Sequence, residues 1–452
     1  MFTSINPATG KPGQSHAELT DAQVEARLAK ARDTFGIWRT SDPHDRMKLL
    51  RRIAEVFEDD REALARIATE EMGKTLKSAI AEVEKCAAGF RYYARHGLKL
   101  LDSTDVDTPA GPVHARWLPM GPVLAVMPWN FPYWQVVRFA APTIMAGNVG
   151  LLKHASSVQG CAAAIEAAIL KAGAPEGLFQ NLAIPSAKVA DLIADDRVVA
   201  VTLTGSEGAG AKVAQAAGKA LKKVVLELGG SDPFVVMPSA DIDLAAKTAV
   251  TARIQNSGQS CICAKRMIVH EAVYGEFLEK FSAGMKAVKT GDPMDHDTDM
   301  GPMSSEEQRD TVLDQVARFR AAGATLLFGA DKPDLPGAYL TPGILVDVDP
   351  EAEVAQEEIF GPVAMVFKVA DIDQAIALAN DVPFGLGSSV WTTDKAEQER
   401  FARDIAAGMT AINRMLASTP EAPFGGVKRS GHGRELGPWG LHEFMNLKAV
   451  IG

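Results

Sequence analysis

The segment of this chain best suited to covalent chemistry is Asn256-Ser257-Gly258-Gln259-Ser260-Cys261-Ile262-Cys263, a cysteine set among small polar residues and glycine. A thiolate is a strong nucleophile, and nearby positive potential raises its fraction at neutral pH. The plain alternative is a buried structural thiol, the commonest fate of a free cysteine. Upstream, Leu226-Glu227-Leu228-Gly229-Gly230 closes an apolar run with one carboxylate. Parallel sheets place ligand sites at such strand ends, and desolvation there lifts a glutamate toward the range of a general base. A partly solvated strand-end glutamate is the competing reading. In Pro128-Trp129-Asn130-Phe131-Pro132 two prolines pin the backbone around one asparagine. A side-chain amide held that rigidly can donate to a developing oxyanion, although ordinary turns use the same residues.

Other segments suit a phosphorylated ligand. Thr204-Gly205-Ser206-Glu207-Gly208-Ala209-Gly210 lies between an apolar run and an Ala-rich stretch. Its spacing is G-x-x-G-x-G rather than G-x-G-x-x-G, yet a strand, a glycine loop and a helix start in that order still offer backbone amides to a phosphate. In Leu152-Lys153-His154-Ala155-Ser156 a lysine closes a strand, where it can reach a ribose hydroxyl or a phosphate; His154 is assigned no role. Glu357-Glu358-Ile359-Phe360-Gly361-Pro362 and Pro423-Phe424-Gly425-Gly426-Val427-Lys428-Arg429-Ser430-Gly431 read as tight loops.

These segments need elements to position them. Residues 1–110 read as mostly helical, with Asp21 capping an Ala-rich run at 22–36, Asp42 preceding an amphipathic run at 44–58, and helical periodicity from Asp60 to Leu100. From residue 111 short β-type runs alternate with Ala-rich helices: strands at Val123–Met127, Val149–Leu152, Phe179–Ile184, Val199–Leu203 and Val224–Leu228, with helices at 162–172, 187–194 and 209–221. A second series follows Gly230, from Phe234–Met237 to a helix at 394–407. Such alternation implies parallel sheets with helices on both faces. Gly229-Gly230 is the expected join, and 441–452 reads as an extended or partner-docking tail.

Bulk properties narrow the function. The chain has 452 residues, enough for two or three domains, with 47% hydrophobic and 23% charged residues as in ordinary globular proteins. A formal charge of −10 argues against nucleic-acid binding. No apolar stretch reaches membrane-helix length, and the N-terminus lacks a signal-peptide pattern, so a cytoplasmic location is expected. Four cysteines, Cys86, Cys161, Cys261 and Cys263, form neither a disulfide scaffold nor zinc-ligand spacing, and no metal is expected.

Taken together and in this order, the segments resemble the NAD(P)-dependent aldehyde dehydrogenase superfamily from Ile5-Asn6-Pro7-Ala8-Thr9-Gly10 to Gly433-Arg434-Glu435. The resemblance implies an α/β fold with a Rossmann-type cofactor domain (1–102 and 120–229), an α/β catalytic domain (230–434) and a small β oligomerisation arm (103–119 and 435–452). It further implies Cys261 as nucleophile, Glu227 as general base and Asn130 as oxyanion donor. Trp129, Lys153, Ser156, Gly205, Ser206, Gly210, Glu358 and Phe360 are expected on an NAD or NADP cofactor. An aldehyde donates hydride poorly until a nucleophile adds to its carbon, which explains the thiol; the resulting thioester then needs water activated by a base. A homodimer or homotetramer is expected from the family, with a small-molecule aldehyde as partner and neither nucleic acid nor membrane.

Within the superfamily the chain is similar to the shorter bacterial succinate-semialdehyde dehydrogenases, through Leu151–Ser156, Leu228–Pro233 and Ala264-Lys265-Arg266. A substrate carrying a carboxylate needs a cation or several hydroxyls. Arg138, Ser418 and Thr419 fall where relatives with acidic substrates place such groups, while Gln255 stands where some carry a second arginine. Other short-chain or aromatic aldehydes stay open. So does the cofactor: Ser156 stands where NAD-selective relatives carry glutamate, which leaves room for a 2′-phosphate. Cys263 invites comparison with relatives whose Cys-x-Cys pair forms a reversible disulfide, against the reading of an inert neighbouring thiol. The rival classes are a thiol acyltransferase or hydrolase, which needs none of the cofactor segments, and a non-catalytic binding protein.

Overall fold

The computed structural model describes residues 1–451. Two parallel-type sheets dominate it, each buried on both faces, as the near-continuous apolar runs require. The first has six strands, in spatial order Gly431–His432, Lys223–Glu227, Ala200–Thr204, Pro122–Met127, Val149–His154 and Phe179–Asn181. All pairings are parallel except that of the Gly431–His432 edge. Strand order reverses between Pro122–Met127 and Ala200–Thr204, so their carboxyl ends flank the crevice where such sheets bind ligands. Register keeps Met127 level with His154 and Thr204 level with Glu227. The second sheet has seven strands: Thr325–Phe328, Gly343–Val346, Val363–Val369, Ala264–His270, Asp232–Val236, Gly387–Trp391 and Met409–Ile412. A third, three-stranded antiparallel sheet joins Met445–Ile451, Gly111–Pro119 and Thr104–Thr108. The expected α/β architecture is therefore borne out, and the tail is a strand.

Several local expectations are corrected. The first helix, Asp21–Trp38, is capped by Thr20, not Asp21: the Thr20 hydroxyl accepts from the Gln23 N–H while the Gln23 side chain accepts from the Thr20 N–H at 2.9 Å. Ahead of it lies an unforeseen hairpin, Phe2–Ile5 with Pro12–His16. The strand expected to reach Ile184 ends at Asn181. The helix Trp134–Ala146 is also unforeseen, because all 13 of its residues are buried and no polar stripe betrays a helical period. Asp42 does cap the helix Pro43–Asp59. No helix among the described residues is long and apolar enough to cross a membrane.

A buried ion pair ties the helical N-terminal region to the segment after Pro122–Met127. Lys74 and Glu82 are 0% and 2% exposed and meet directly. Glu82 Oε1 also accepts the Tyr133 and Trp134 N–H groups, each at 2.9 Å, so this carboxylate anchors the first turn of Trp134–Ala146. Removing one partner of a buried pair strands the other charge in a medium that solvates it poorly. Glu82→Ala is therefore expected to cost about 3–5 kcal/mol of stability. Urea unfolding followed by fluorescence measures this, and an unshifted midpoint would refute the anchoring role.

Candidate active site

In the loop after helix Ile242–Ile254, Gln255 is followed by three residues in the left-handed region, Asn256 (φ 54°), Ser257 (φ 56°) and Gly258 (φ 73°). Glycine is required at the third: a Cβ there would lie 2.2 Å from the carbonyl carbon of Gly361. Side chains hold the other two. Asn256 Nδ2 donates to the Asn130 carbonyl at 2.7 Å and to the Gln259 carbonyl at 3.1 Å, and Ser257 Oγ donates to Gly301 O at 3.0 Å. Beneath the loop, buried Arg253 donates to Gly258 O and Ala264 O. Buried Lys265 donates to Ser260 O at 2.9 Å and Cys261 O at 2.7 Å, and pairs with Glu358 at 2.8 Å. Asn130 is fixed from the opposite sheet. Its Nδ2 donates to Gln259 O at 3.1 Å, and its Oδ1 accepts from Gln135 Nε2 at 3.0 Å.

Two recesses meet at Cys261, which lines both, as does Gln135. One is bounded by Trp129, Asn130, Gly205, Ser206, Glu358 and Phe360. The Trp129 and Phe360 rings stand edge to face there, 5.9 Å apart. Ser206 caps the helix Glu207–Lys219 at the sheet's switch point, which directs backbone N–H groups toward this recess. Gly210 lines neither recess; it lets the helix pack on Leu228, 2.7 Å from where its Cβ would be. A neighbouring groove is bordered by Val126, Ser186, Leu203 and Lys212. Lys153 donates to Ser186 Oγ at 3.0 Å beside that groove, and Ser156 is exposed close by in sequence.

The other recess is bounded by Lys85, Trp134, Arg138, Gln255, Ser418 and Phe424. Arg138 is almost wholly enclosed. Its Nε pairs with Glu435 at 2.8 Å, its Nη2 donates to Gln135 Oε1 at 3.0 Å, and its guanidinium lies over the Phe424 ring at 4.3 Å. Thr419 is exposed and lines neither recess. Cys263 is buried behind the loop, where its thiol donates to Gln255 O at 3.5 Å, and all four cysteines are free.

Burial governs the ionisable groups. It pushes the Cys261 thiol up to about 12, against the pull of Arg138 and Lys265. Burial, aided by the Glu435 carboxylate, also raises Glu227 well above the ordinary carboxylate range; Arg138 and Arg434 oppose it. Glu227 lines neither recess. Its Oε1 lies 2.6 Å from where a Cβ on Gly425 would stand, and neither carboxylate oxygen has a hydrogen-bond partner among the described residues. The carboxyl is thus held by packing alone, with no hydrogen bond to offset its desolvation. Residues that sequence reasoning missed are Lys85, Trp134, Gln135, Lys265 and Glu435. Lys265 and Glu435 lie in segments that carry the resemblance, Ala264-Lys265-Arg266 and Gly433-Arg434-Glu435, but had no role there; Lys85, Trp134 and Gln135 lie in none, and packing brings all five here.

The aldehyde dehydrogenase family model matches residues 1–450. Succinate-semialdehyde dehydrogenase (NADP+) 1 of Mycobacterium tuberculosis is 50% identical over 452 residues, covering 99% of each chain. The corresponding protein of Mycobacterium avium is 51% identical over 453 residues, covering 99% of this chain and 96% of its own. The crystal structure of succinic semialdehyde dehydrogenase from Streptococcus pyogenes, in complex with NADP+, superposes with a TM-score of 0.98 at 38% identity, covering 100% of this chain and 99% of that one.

Cys86, Cys161 and Cys263 are 0% exposed, which leaves Cys261 as the accessible thiol. With its titration near 12, the thiolate fraction of the unliganded protein should climb about tenfold per pH unit through the neutral range. Iodoacetamide modification of Cys261, followed by mass spectrometry, is expected to accelerate in that proportion between neutrality and mild alkalinity. A rate that is already flat at neutral pH would show a stabilised thiolate instead.

Proposed function

The chain belongs to the aldehyde dehydrogenase family, and from that premise we propose that it oxidises succinate semialdehyde to succinate with NADP+. The observation that carries this reading is the position of Cys261 at the junction of two recesses, one lined by Gly205, Ser206 and Glu358 and the other by Lys85, Arg138 and Ser418. In this reading the six-stranded unit holds the cofactor and the seven-stranded unit supplies the nucleophile loop. The Cys261 thiol releases its proton to solvent, a loss favoured by Arg138 and Lys265, and the thiolate adds to the aldehyde carbon as the carbonyl π pair passes to oxygen. The free N–H of the Asn130 amide faces the alkoxide that forms, since its other N–H is committed to Gln259 O. A bound nicotinamide would supply the hydride acceptor beside that tetrahedral carbon. Glu227 turns from its buried position to draw a proton from the water that hydrolyses the thioester, and its raised proton affinity suits that task.

The residues present fit a 2′-phosphate. Lys153 is buried with a hydroxyl as its partner rather than a carboxylate, and the exposed residue at 156 is a neutral serine. Lys153, Ser156 and Ser186 together would hold the phosphate. The enzyme acts in the cytoplasm as a homodimer or homotetramer; exposed Val106, Leu447 and Ile451 on the three-stranded sheet support pairing of that sheet with a second copy.

Growth of reduced-nicotinamide absorbance with succinate semialdehyde tests the reading directly. It should depend on Cys261 and be indifferent to coenzyme A; a requirement for coenzyme A would replace hydrolysis with acyl transfer. Asn130→Ala should keep NADP+ binding, measured by fluorescence quenching, while kcat falls about 10²–10³-fold. Near-normal turnover would remove Asn130 from the oxyanion position. Ser156→Glu should lower kcat/KM with NADP+ at least ~10-fold relative to NAD+, because the new carboxylate faces the phosphate. Equal losses with both cofactors would count against phosphate recognition here.

A further inference from the structure

Arg138, the residue expected to meet an acidic substrate, already stands in an ion pair. Glu435 takes its Nε, Gln135 takes its Nη2, and both partners are buried. The second cation of the recess is Lys85, on the helix Leu76–Leu100, and it makes no ion pair among the described residues. Its closest carboxylate in sequence on the same helix face is Glu82, whose oxygens are committed to Lys74 and to the Tyr133 and Trp134 N–H groups.

We propose that Lys85, together with the Ser418 hydroxyl, binds the carboxylate at the far end of the substrate and so selects acidic aldehydes. This assignment rests on the reading of the chain as a succinate-semialdehyde dehydrogenase and names the residue that enforces it. Donor and acceptor accounting supports it. Ser418 Oγ accepts from Lys85 Nζ at 2.9 Å and from Trp134 Nε1 at 2.9 Å, which uses both of its lone pairs. Its own proton is left to donate, and an acceptor must come from the recess. Lys85 carries three N–H donors, of which Ser418 takes one, while the ammonium rests 4.6 Å above the Trp134 ring. The ring and the serine fix the cation without neutralising it. A carboxylate offers two oxygens, one for the ammonium and one for the hydroxyl. Burial, reinforced by Arg138, pushes the Lys85 ammonium down to about 8, so an arriving carboxylate meets a cation held at a cost that the new pair relieves. With Arg138 balanced by Glu435 and Lys74 by Glu82, one uncompensated positive charge faces the recess, which matches a monoanionic aldehyde.

The test is steady-state kinetics of the full chain at saturating NADP+, with succinate semialdehyde and with butanal, which has the same chain length and no carboxylate. Lys85→Met should raise the ratio of KM for succinate semialdehyde to KM for butanal by roughly 10- to 100-fold. Lys85→Arg should recover part of that rise, and Lys85→Gln, which keeps a donor without the charge, should fall between wild type and Met. A ratio unchanged in Met and Gln variants that retain butanal turnover would overturn the assignment while leaving the proposed function intact. A wild-type enzyme indifferent to the carboxylate would overturn both.

Discussion

Side-chain amides from two sheets cross-link at one point, and the chemistry depends on that clasp. Asn256 reaches back from the second sheet's loop to the backbone of Asn130, and Asn130 reaches forward to the backbone of Gln259. Each bond alone contributes about 1 kcal/mol. Their value is geometric, since they join the turn after Pro122–Met127 to the loop before Ala264–His270 and leave Cys261 where the two recesses meet. The left-handed run at Asn256 and Ser257 has a conformational cost of about 1–2 kcal/mol per residue. A regular helical continuation would avoid that cost but would forfeit the Asn256 bond to Asn130 O that spans the two sheets.

Around this clasp the charges are arranged mostly in closed pairs: Lys265 with Glu358, Arg138 with Glu435, Lys74 with Glu82. Closed pairs suit a buried site, since an isolated charge there is costly. They also serve as scaffolding. Lys265 grips the carbonyls of Ser260 and Cys261, Arg138 orients Gln135 and through it Asn130, and Glu82 seats the helix that carries both Gln135 and Arg138. The cation that departs from this pattern, Lys85, projects into the recess from a helix remote in sequence from every chemical segment.

That contrast explains what could be read from the chain alone. Cys261, Glu227 and Asn130 stand in segments whose local composition already limits what they can do, and the alternating runs from residue 111 onward revealed the parallel sheets because the central strands are buried on both faces. Helix Trp134–Ala146 stayed hidden for the same reason turned around: complete burial erases the polar stripe that marks a helix. Arg138 was visible through the resemblance to relatives with acidic substrates, yet Glu435, with which it pairs, lies near the other end of the chain. The short strands Gly343–Val346 and Met409–Ile412 have four residues each, too few to show a period. Partnership between side chains distant in sequence decides which charges are free, and no local pattern carries that information.

One physical cause acts on both reactive groups. Exclusion of water disfavours the charged form, so the Cys261 thiol and the Glu227 carboxyl both hold their protons more tightly than they would in solution. The same exclusion strengthens the interactions that chemistry requires, because a single N–H from Asn130 acts on an oxyanion in a poorly screening medium. Burial raises the cost of making the thiolate, and the Asn130 N–H offsets the cost of the alkoxide that follows. The cations near Cys261, Arg138 and Lys265, lower the first cost, and each is itself paired with a carboxylate, Glu435 and Glu358.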